Sequence, residues 1–523
     1  MSQPDQPAEP TKRRPIGTVK WWFFWLPVGS LLLLWVLLYL PHLRDSPGWY
    51  GDETTTLMLS RNLFHGHATL GTCTVTYWHT YPPYWPGYLW PTGLFAWLTG
   101  EDILGARFFN TLLALSIALL IYLLGRTRFG FFPAWFGAAL FLTYDQNVIH
   151  FRWVYCHNAV ALGFAVLTLY LLRPSRPAND WRAGLGLAIG ALAHPLFAHG
   201  AIAAVICRLK RPGAWIRLGI LPAVVVLLTF FGVLICYWPK RWILSDIVDL
   251  FEYYRQTGAA NGGLTALRNF WEFYSYDAFQ IGSLAGALLC LRKRYYPLTI
   301  VFLVVSYLLL KNRGNLILFY YQAMILSPIL AMCWAAGLGI AGRWTRRLQG
   351  NRRLEKFCYL AAFCVPLSYG ISNLPRVLVT GNLQPRCQNV VTQSIPEVEM
   401  AAEWLNRHSK PDDLIVANSN LAWLLKARTT GLLHVVLWEG SPTTYFDRGL
   451  PRERFLYPSD YTDARYFVVG DIDARWTLKE PTVAPLAKRI AEEKWPKVWK
   501  AENYVIYANP RFSEEKPSSQ RSR

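Results

Sequence analysis

Two adjacent carboxylates, Asp52 and Glu53, are the residues in this sequence whose chemistry stands out. Apolar residues recur at helical spacing between Leu57 and Phe64, so both acids fall at the N-terminus of a predicted helix. A carboxylate placed there can take a proton from a reacting group or help to bind a cation. An acidic first turn also complements the helix dipole without any catalytic role. On the pair alone, this second interpretation is preferred.

An aromatic segment follows the carboxylates. Seven aromatic residues lie between Tyr77 and Trp90, around three prolines. Amphipathic rings of this kind collect at the membrane–water interface, so the segment predicts a second helix lying along the membrane surface. Two such helices would hold the carboxylate pair above a bilayer, an arrangement that suits an enzyme with a lipid substrate.

The chain as a whole has the composition of a membrane protein. Of its 523 residues, 53% are hydrophobic and only 16% are charged. A run from Trp21 to Leu40 is long enough to span a bilayer, and it has no cleavage-site pattern, so we expect a retained helix. Ten further apolar stretches lie at about 103–124, 131–148, 153–172, 183–194, 196–209, 217–238, 277–291, 295–311, 315–341 and 357–374.

The placement of charge predicts the orientation of these spans. Two short stretches meet at His194-Pro195 and could form two spans or one bent helix. With two spans, the loops assigned to the cytoplasm hold 22 basic and four acidic residues, or +18 of the net charge of +20. One bent helix would put the RWTRRLQGNRR loop outside, so we reject it. The basic excess therefore indicates membrane topology and not nucleic-acid binding.

The resulting topology is a mostly α-helical bundle of about 11 spans with an outer α/β domain. It consists of a basic cytoplasmic tail (1–20), a membrane module (21–375) with a long first outer loop (41–102), a linker (376–395), the outer domain (396–511) and a flexible tail (512–523). In the outer domain, PEVEMAAEWLNRH and APLAKRIAEEKW have helical periodicity. DDLIVANS and ARYFVVGD are typical of buried strands, and ENYVIYANP of a closing strand.

The order of features resembles the membrane glycosyltransferases of the GT-C superfamily, especially the protein O-mannosyltransferase-like and lipid A aminoarabinose transferase-like branch. The features are Asp52-Glu53 after the first span, then Arg61-Asn62-Leu63, Gly66, Pro82-Pro83, and Gly105-Ala106-Arg107 entering the second span. The similarity covers roughly residues 20 to 340. It implies a bundle of about a dozen spans, two juxtamembrane helices in the first outer loop, and often an outer soluble domain.

The resemblance also implies an activity in the cell (inner) membrane. Such enzymes move a sugar from a polyprenyl-phosphate donor to an acceptor hydroxyl on the outer face, with inversion. The acceptor is a glycolipid, a polysaccharide or a protein, and membrane lipids are further partners. Asp52 then matches the general base. Glu53 would orient Asp52, contact the acceptor or help to bind a cation, and a structural or orienting role is preferred. Residues expected to bind substrate, including the lipid phosphate, are Arg152, His157, Asn158, Lys311, Arg313, Tyr320, Tyr321, Tyr81 and Pro83.

The sequence departs from the resembling family at one position. Many relatives have a second acidic residue at the start of the fourth span, where this chain has Asn158. Since Asn carries no charge, catalysis rests more heavily on Asp52, and a metal site of two carboxylates is disfavoured. A divalent cation stays open as a cofactor: His65, His67 and His79 could hold one with Asp52, but no ligand spacing singles them out.

Two other functions remain open at this point. A transporter or flippase of lipid-linked saccharides would use a similar basic and aromatic cavity without chemistry, and the His194-Pro195 break fits an interrupted transport helix weakly. A non-catalytic scaffold is the third alternative. Snorkelling from a helix end is the simpler explanation to set against substrate binding, and for Arg152 the two are about even. For Arg313 with Tyr320 and Tyr321 the resemblance favours function, because relatives have a basic residue and Tyr near this span where the phosphate binds.

Overall fold

The computed structural model describes residues 22–66, 86–100, 102–237, 263–291, 294–311, 324–349, 352–380, 383, 392–443, 451–475 and 477–512. Each predicted apolar stretch contains a helix. Two more helices lie between the first and the second apolar stretch. The helices up to residue 375 are α1 (Trp22–Tyr39), α2 (Gly51–Phe64), α3 (Pro86–Leu98), α4 (Ile103–Phe129), α5 (Phe131–Thr143), α6 (Asp145–His150), α7 (His157–Leu171), α8 (Pro177–Ala193), α9 (Phe197–Cys207), α10 (Pro212–Tyr237), α11 (Gly263–Tyr274), α12 (Ala278–Leu289), α13 (Tyr296–Leu310), α14 (Ser327–Gln349) and α15 (Arg352–Pro375).

Several of these helices have the length and composition of membrane spans. Four segments of the described chain are both long and apolar enough to cross a bilayer: Ile103–Phe129, Pro212–Thr229, Met324–Arg347 and Arg353–Val379. The shorter apolar helices have 10–17 residues. The chain is thus a mostly helical membrane protein, while the number of eleven spans stays a prediction.

The His194-Pro195 break separates two helices, as the topology requires. Helix α8 ends at Ala193 and α9 begins at Phe197. His194 is in an extended conformation, with φ −166° and ψ 146°. Proline disfavours helical backbone in the residue before it and lacks an N–H of its own, which explains the interruption. The side of the membrane on which each loop lies remains a prediction.

Helices α7 and α8 approach each other closely through glycine. A Cβ atom at Gly163 would lie 2.6 Å from the carbonyl oxygen of Gly186, and one at Gly186 would lie 2.5 Å from the nitrogen of Leu167. Only residues without a side chain fit there, as in many contacts between membrane helices. This contact fixes the direction in which α7 presents its N-terminal residues.

A buried ion cluster ties together α8 and the start of α10. The carboxylate of Asp180 is fully buried and accepts from Arg208 Nε at 3.3 Å and from Arg217 Nη2 at 3.2 Å. The hydroxyl of Ser175 donates to the same carboxylate at 3.1 Å. A buried carboxylate is tolerated only when it is paired in this way.

The C-terminal part contains a mixed five-stranded sheet with short helices on it. Its strand order is β4–β3–β5–β7–β6, with β3 parallel to β4 and β5, and β7 antiparallel to β5 and β6. The elements are α16 (Ile395–His408), β3 (Leu414–Val416), α17 (Ser419–Ala422), β4 (Arg428–Thr430), α18 (Leu432–Trp438), β5 (Ala464–Gly470), α19 (Asp471–Arg475), α20 (Ala484–Glu492), β6 (Lys497–Lys500) and β7 (Tyr504–Ala508).

Two details of this part differ from the sequence prediction. The strand at ENYVIYANP, β7, is not at the edge of the sheet as a closing strand would be. Strand β6 pairs with its outer side and forms the edge. Strand β6 has the sequence KVWK and is largely exposed, so it lacks a buried apolar run. In addition, the predicted linker contains strand β2 (Thr392–Gln393), which pairs antiparallel with β1 (Trp49–Tyr50) in front of α2.

Removing the buried carboxylate of Asp180 should destabilise the bundle. In Asp180→Ala, two arginines keep their charge but lose their carboxylate partner. We expect the free energy of unfolding to fall by about 3–5 kcal/mol. The apparent melting temperature of the protein in detergent measures this effect. Glu403→Ala, which removes an exposed carboxylate paired with Arg407, is the control and should change that temperature little. Equal effects from the two variants would contradict the assignment.

Asp473 should make the stability of the C-terminal sheet depend on pH. Burial raises the pKa of this carboxyl from 3.8 to about 6, against the opposing effect of bonds from the Gly470 N–H and Asn418 Nδ2. Between these pH values the folded chain holds a proton that the unfolded chain has released. Local stability therefore falls by about 3 kcal/mol as the pH rises through this window and is level above it.

Hydrogen–deuterium exchange of segment 464–475, corrected for intrinsic rates, measures this dependence. Asp473→Asn should abolish the fall in local stability between pH 3.8 and about 6. Asp412→Asn, at a side chain 89% exposed, should leave that fall unchanged. Burial lowers the pKa of His434 to about 4, so its contribution has the opposite sign, being lost as the pH falls. Since both variants keep His434, their difference isolates Asp473. Identical exchange profiles would refute the prediction.

Candidate active site

Helix α2 begins one residue before the carboxylate pair and gives its two members different surroundings. Asp52 and Glu53 both lie in its first turn, as predicted. Successive helical residues point about 100° apart, so neighbours face different sides. The side chain of Glu53 is completely buried, whereas Asp52 is half-buried.

Glu53 forms a bidentate ion pair with Arg107 of α4. Arg107 Nε donates to Glu53 Oε1 at 2.8 Å and Nη2 donates to Oε2 at 2.7 Å, and both side chains have 0% exposure. The N–H of Val154 also donates to Oε1, at 3.0 Å. The remaining Nη1 of Arg107 donates to the carbonyls of Leu43 and Arg44. This one pair joins α2, α4, the chain after α1, and the chain before α7.

The ion pair gives Glu53 surroundings that differ from those of the half-buried Asp52. Both oxygens of Glu53 are occupied by charge-assisted bonds in a dry setting. Asp52 is close enough for its charge to act on the thiol of Cys156, in the connection between α6 and α7. Two adjacent carboxylates with separate environments can serve separate roles, one held in place and one reactive.

A cluster of ring side chains lies at the connection between α6 and α7. His157 stacks on Tyr155 with ring centroids 4.2 Å apart, and the Sγ of Cys156 lies 3.6 Å from His157 Nδ1. The ring of His194, from the break between α8 and α9, lies 4.7 Å from that of His157. The sequence singled out His157 as a substrate-binding residue. It treated His194 only as part of a helix break, although a polar residue at an interrupted membrane helix was a usable signal.

Asn158 lies at the centre of an uncharged network. Its Nδ2 donates to Asn110 Oδ1 at 2.9 Å and to the carbonyls of His150 and Trp153 at 3.2 Å. The hydroxyl of Tyr88 donates to the same Asn110 oxygen, at 2.9 Å. Asn158 thereby links α3, α4 and α7 and is 4% exposed. Its amide is engaged in holding these helices together.

Arg152 contacts the C-terminal end of α1. It is fully buried, and its guanidinium donates to the carbonyl of Leu38 at 3.4 Å and to that of Pro41. A cation at this position satisfies carbonyls that lack partners in the helix and complements the helix dipole. These contacts give Arg152 a structural role that its place in the sequence did not reveal.

Of the remaining predicted residues, one is described and five are not. Lys311 follows the last residue of α13, and its Nζ lies 5.8 Å from the centroid of the Tyr307 ring. Arg313, Tyr320, Tyr321, Tyr81 and Pro83 lie outside the described residues, as do His67 and His79. Within the described ranges, no group of three or more His, Cys, Asp or Glu side chains could hold a metal ion.

An apolar groove adjoins the ion pair. It has a volume of about 410 Å³ and runs between the end of α1 and helices α3 and α4, with Leu40, Leu43, Phe95, Leu104 and Phe108 among its lining residues. The carbonyl of Leu43 also accepts from Arg107, so the groove reaches the residues that hold Glu53. Its lining suits a hydrocarbon chain.

Solved structures of similar fold identify the architecture. ArnT from Cupriavidus metallidurans superposes with a TM-score of 0.60 at 15% identity, over 93% of this chain and 98% of that one. The oligosaccharyltransferase AglB from Archaeoglobus fulgidus does so with a TM-score of 0.52 at 13% identity, over 96% of this chain and 75% of that one. These neighbours are GT-C glycosyltransferases. The chain has the GT-C fold.

The GT-C fold confirms the resemblance drawn from the sequence. The two helices expected between the first and second spans are present as α2 and α3. Neither a protein-family model nor a curated protein sequence matches the chain. At 13–15% identity, the GT-C likeness concerns architecture, and the chemistry has to be argued from the side chains.

Breaking the bidentate pair should destabilise the GT-C bundle in a graded way. Arg107→Ala leaves Glu53 charged and buried, at an expected cost of about 3–5 kcal/mol. Arg107→Lys keeps the charge but not the fork of donors, so we expect a smaller loss of roughly 1–3 kcal/mol. Thermal unfolding in detergent measures both, with Arg407→Lys in an exposed pair as the control.

A double variant tests whether the loss comes from an unpaired charge. Glu53→Gln combined with Arg107→Met removes both charges. Its destabilisation should be smaller than the sum of those of Glu53→Gln alone and Arg107→Met alone. Strictly additive losses would show that the two side chains do not interact.

Proposed function

We propose that this protein is an inverting glycosyltransferase. It transfers a sugar from a polyprenyl-phosphate-linked donor to an acceptor hydroxyl on the outer face of the membrane. Asp52 is the general base and Glu53 is the residue that holds the helix carrying it. The acceptor belongs to one of three classes: a glycolipid, a polysaccharide or a protein.

The observation that carries this proposal is the contrast between the two carboxylates of α2. Glu53 is buried and neutralised by Arg107, while Asp52 next to it is half-buried and close enough for its charge to act on Cys156, the neighbour of His157. Movement of a lipid-linked sugar across a membrane does not by itself require a general base. A hydroxyl acceptor does need one, because its oxygen is a weak nucleophile until its proton is taken.

The reaction then has a simple geometry. The acceptor oxygen attacks the anomeric carbon of the sugar while Asp52 accepts its proton. The bond from that carbon to the phosphate oxygen breaks on the opposite face, so the configuration inverts. The departing lipid phosphate keeps the electron pair and needs a cationic partner. We assign that role to Lys311 and Arg313 with Tyr320 and Tyr321.

The lipid portion of the donor has support of its own. The apolar groove beside Arg107 is lined by aliphatic and aromatic side chains, as a prenyl chain requires. The similar ArnT structure was also solved bound to undecaprenyl phosphate, and the AglB structure was solved with a dolichol-phosphate. Likeness of fold to proteins that bind such lipids favours a lipid-phosphate donor for this chain.

Replacing the base should abolish transfer without unfolding the protein. Asp52→Asn keeps the size of the side chain but cannot accept a proton, so we expect transfer to fall by about 10²–10⁴-fold. The measurement uses membranes containing the protein, supplied with undecaprenyl-phosphate sugars, and follows new glycosidic bonds by mass spectrometry. Asp45→Asn, at a carboxylate 59% exposed on the same loop, is the matched control and should retain activity.

Two outcomes would contradict the proposal. Full transfer by Asp52→Asn would remove Asp52 from the role of base. Movement of lipid-linked sugar across the membrane by the wild-type protein, without any new glycosidic bond, would identify it as a transporter.

A further inference from the structure

The chain around Asp52 is held from both sides by the C-terminal part of the protein. Strand β1 ends two residues before Asp52 and pairs with β2, where Trp49 lies opposite Gln393 and Tyr50 opposite Thr392. Trp49 is 1% exposed, so this short pairing is buried rather than frayed. The backbone that enters α2 therefore has its position set by residues far along the sequence.

A second set of contacts holds the first turn of α2. The hydroxyl of Ser419 donates to the carbonyl of Gly51 at 3.2 Å. The hydroxyl of Thr54, two residues after Asp52, donates to Asn420 Oδ1. The residues on either side of the carboxylate pair are thus bonded to α17, a helix of the C-terminal sheet region.

These two sets of contacts are joined to each other by a buried amide pair. Asn420 Nδ2 donates to Gln393 Oε1, which also accepts from the hydroxyl of Tyr504 in β7. Asn420 is 0% and Gln393 is 3% exposed. Both the oxygen and the nitrogen of the Asn420 amide are engaged here, and buried polar groups are expensive to leave unpaired, so Asn420 has few alternative arrangements. It links β2, α17 and β7 into one rigid support for α2.

We propose that Asn420 and Gln393 are positioning residues for Asp52, and that the active site is incomplete without the C-terminal part. The proposal rests on the function proposed above, in which Asp52 is the base. Misplacing a base by about 1 Å can reduce a rate by on the order of 10²-fold, because proton transfer requires hydrogen-bond geometry. The C-terminal part then acts on the rate of the chemical step rather than on the affinity for the donor.

Variants of the network test this coupling. Asn420→Leu keeps the approximate volume and removes both hydrogen bonds. Thr54→Val removes the hydroxyl from the α2 side, and Thr54→Ser restores it. The matched control is Asn406→Leu, since Asn406 makes similar bonds, to Leu424 and Lys426, within the C-terminal part. Melting temperatures in detergent show that each full-length variant is folded.

We expect Asn420→Leu and Thr54→Val to lower kcat roughly 10–100-fold with KM for the undecaprenyl-phosphate sugar within about twofold. Thr54→Ser and Asn406→Leu should stay close to wild type. Hydrogen–deuterium exchange of segment 49–57 should be faster in Asn420→Leu and unchanged in Asn406→Leu.

The exchange measurement separates failure of this inference from failure of the proposed function. Unchanged exchange in Asn420→Leu overturns the inference whether or not transfer is detected. An active wild type with an equally active Asn420→Leu also overturns it. A wild-type protein that makes no glycosidic bond overturns the proposed function, and with it the catalytic meaning of the positioning, while faster exchange still upholds the physical coupling.

Discussion

The buried pair between Glu53 and Arg107 is the interaction on which the arrangement of the outer end of the bundle depends. Two charges without exposure are stable only when their bonding capacity is filled, and here it is filled from four segments of chain. Displacing α2 or α4 would leave an uncompensated charge, and displacing either of the other two segments would remove a backbone hydrogen bond from the buried pair. The pair therefore acts as a geometric constraint: α2 has one position relative to α4, and Asp52 has the position that follows from it.

The sequence was sufficient to predict the parts of the fold that follow from periodicity. Apolar runs gave the helices of the bundle, and the helix starting at Gly51 was predicted from its spacing of apolar residues. The interruption at His194-Pro195 followed from the backbone chemistry of proline. In the C-terminal part, buried strands such as β5 were found because their residues form continuous apolar runs.

The remaining features arise from contacts between distant residues, which no local pattern records. Arg107 was noticed as part of a resemblance, but its partner lies 54 residues away. Strands β1 and β2 have two residues each, too few for any periodicity to appear. Arg152 illustrates the converse. Its place at the end of a span suggested phosphate binding, whereas the carbonyls at the end of α1 already accept its hydrogen bonds.

The pairing of β1 with β2 has a consequence for the order in which the protein is made. Thr54 and Asn420 are 366 residues apart, and the described helices from α3 to α15 lie between them in the chain. Domains generally assemble as synthesis proceeds from the N-terminus, so the helices can pack before the residues that hold α2 exist. Helix α2 then reaches its final position only after the last quarter of the chain has been made. A chain truncated before residue 392 would contain the helices of the bundle but would lack the residues that hold the start of α2.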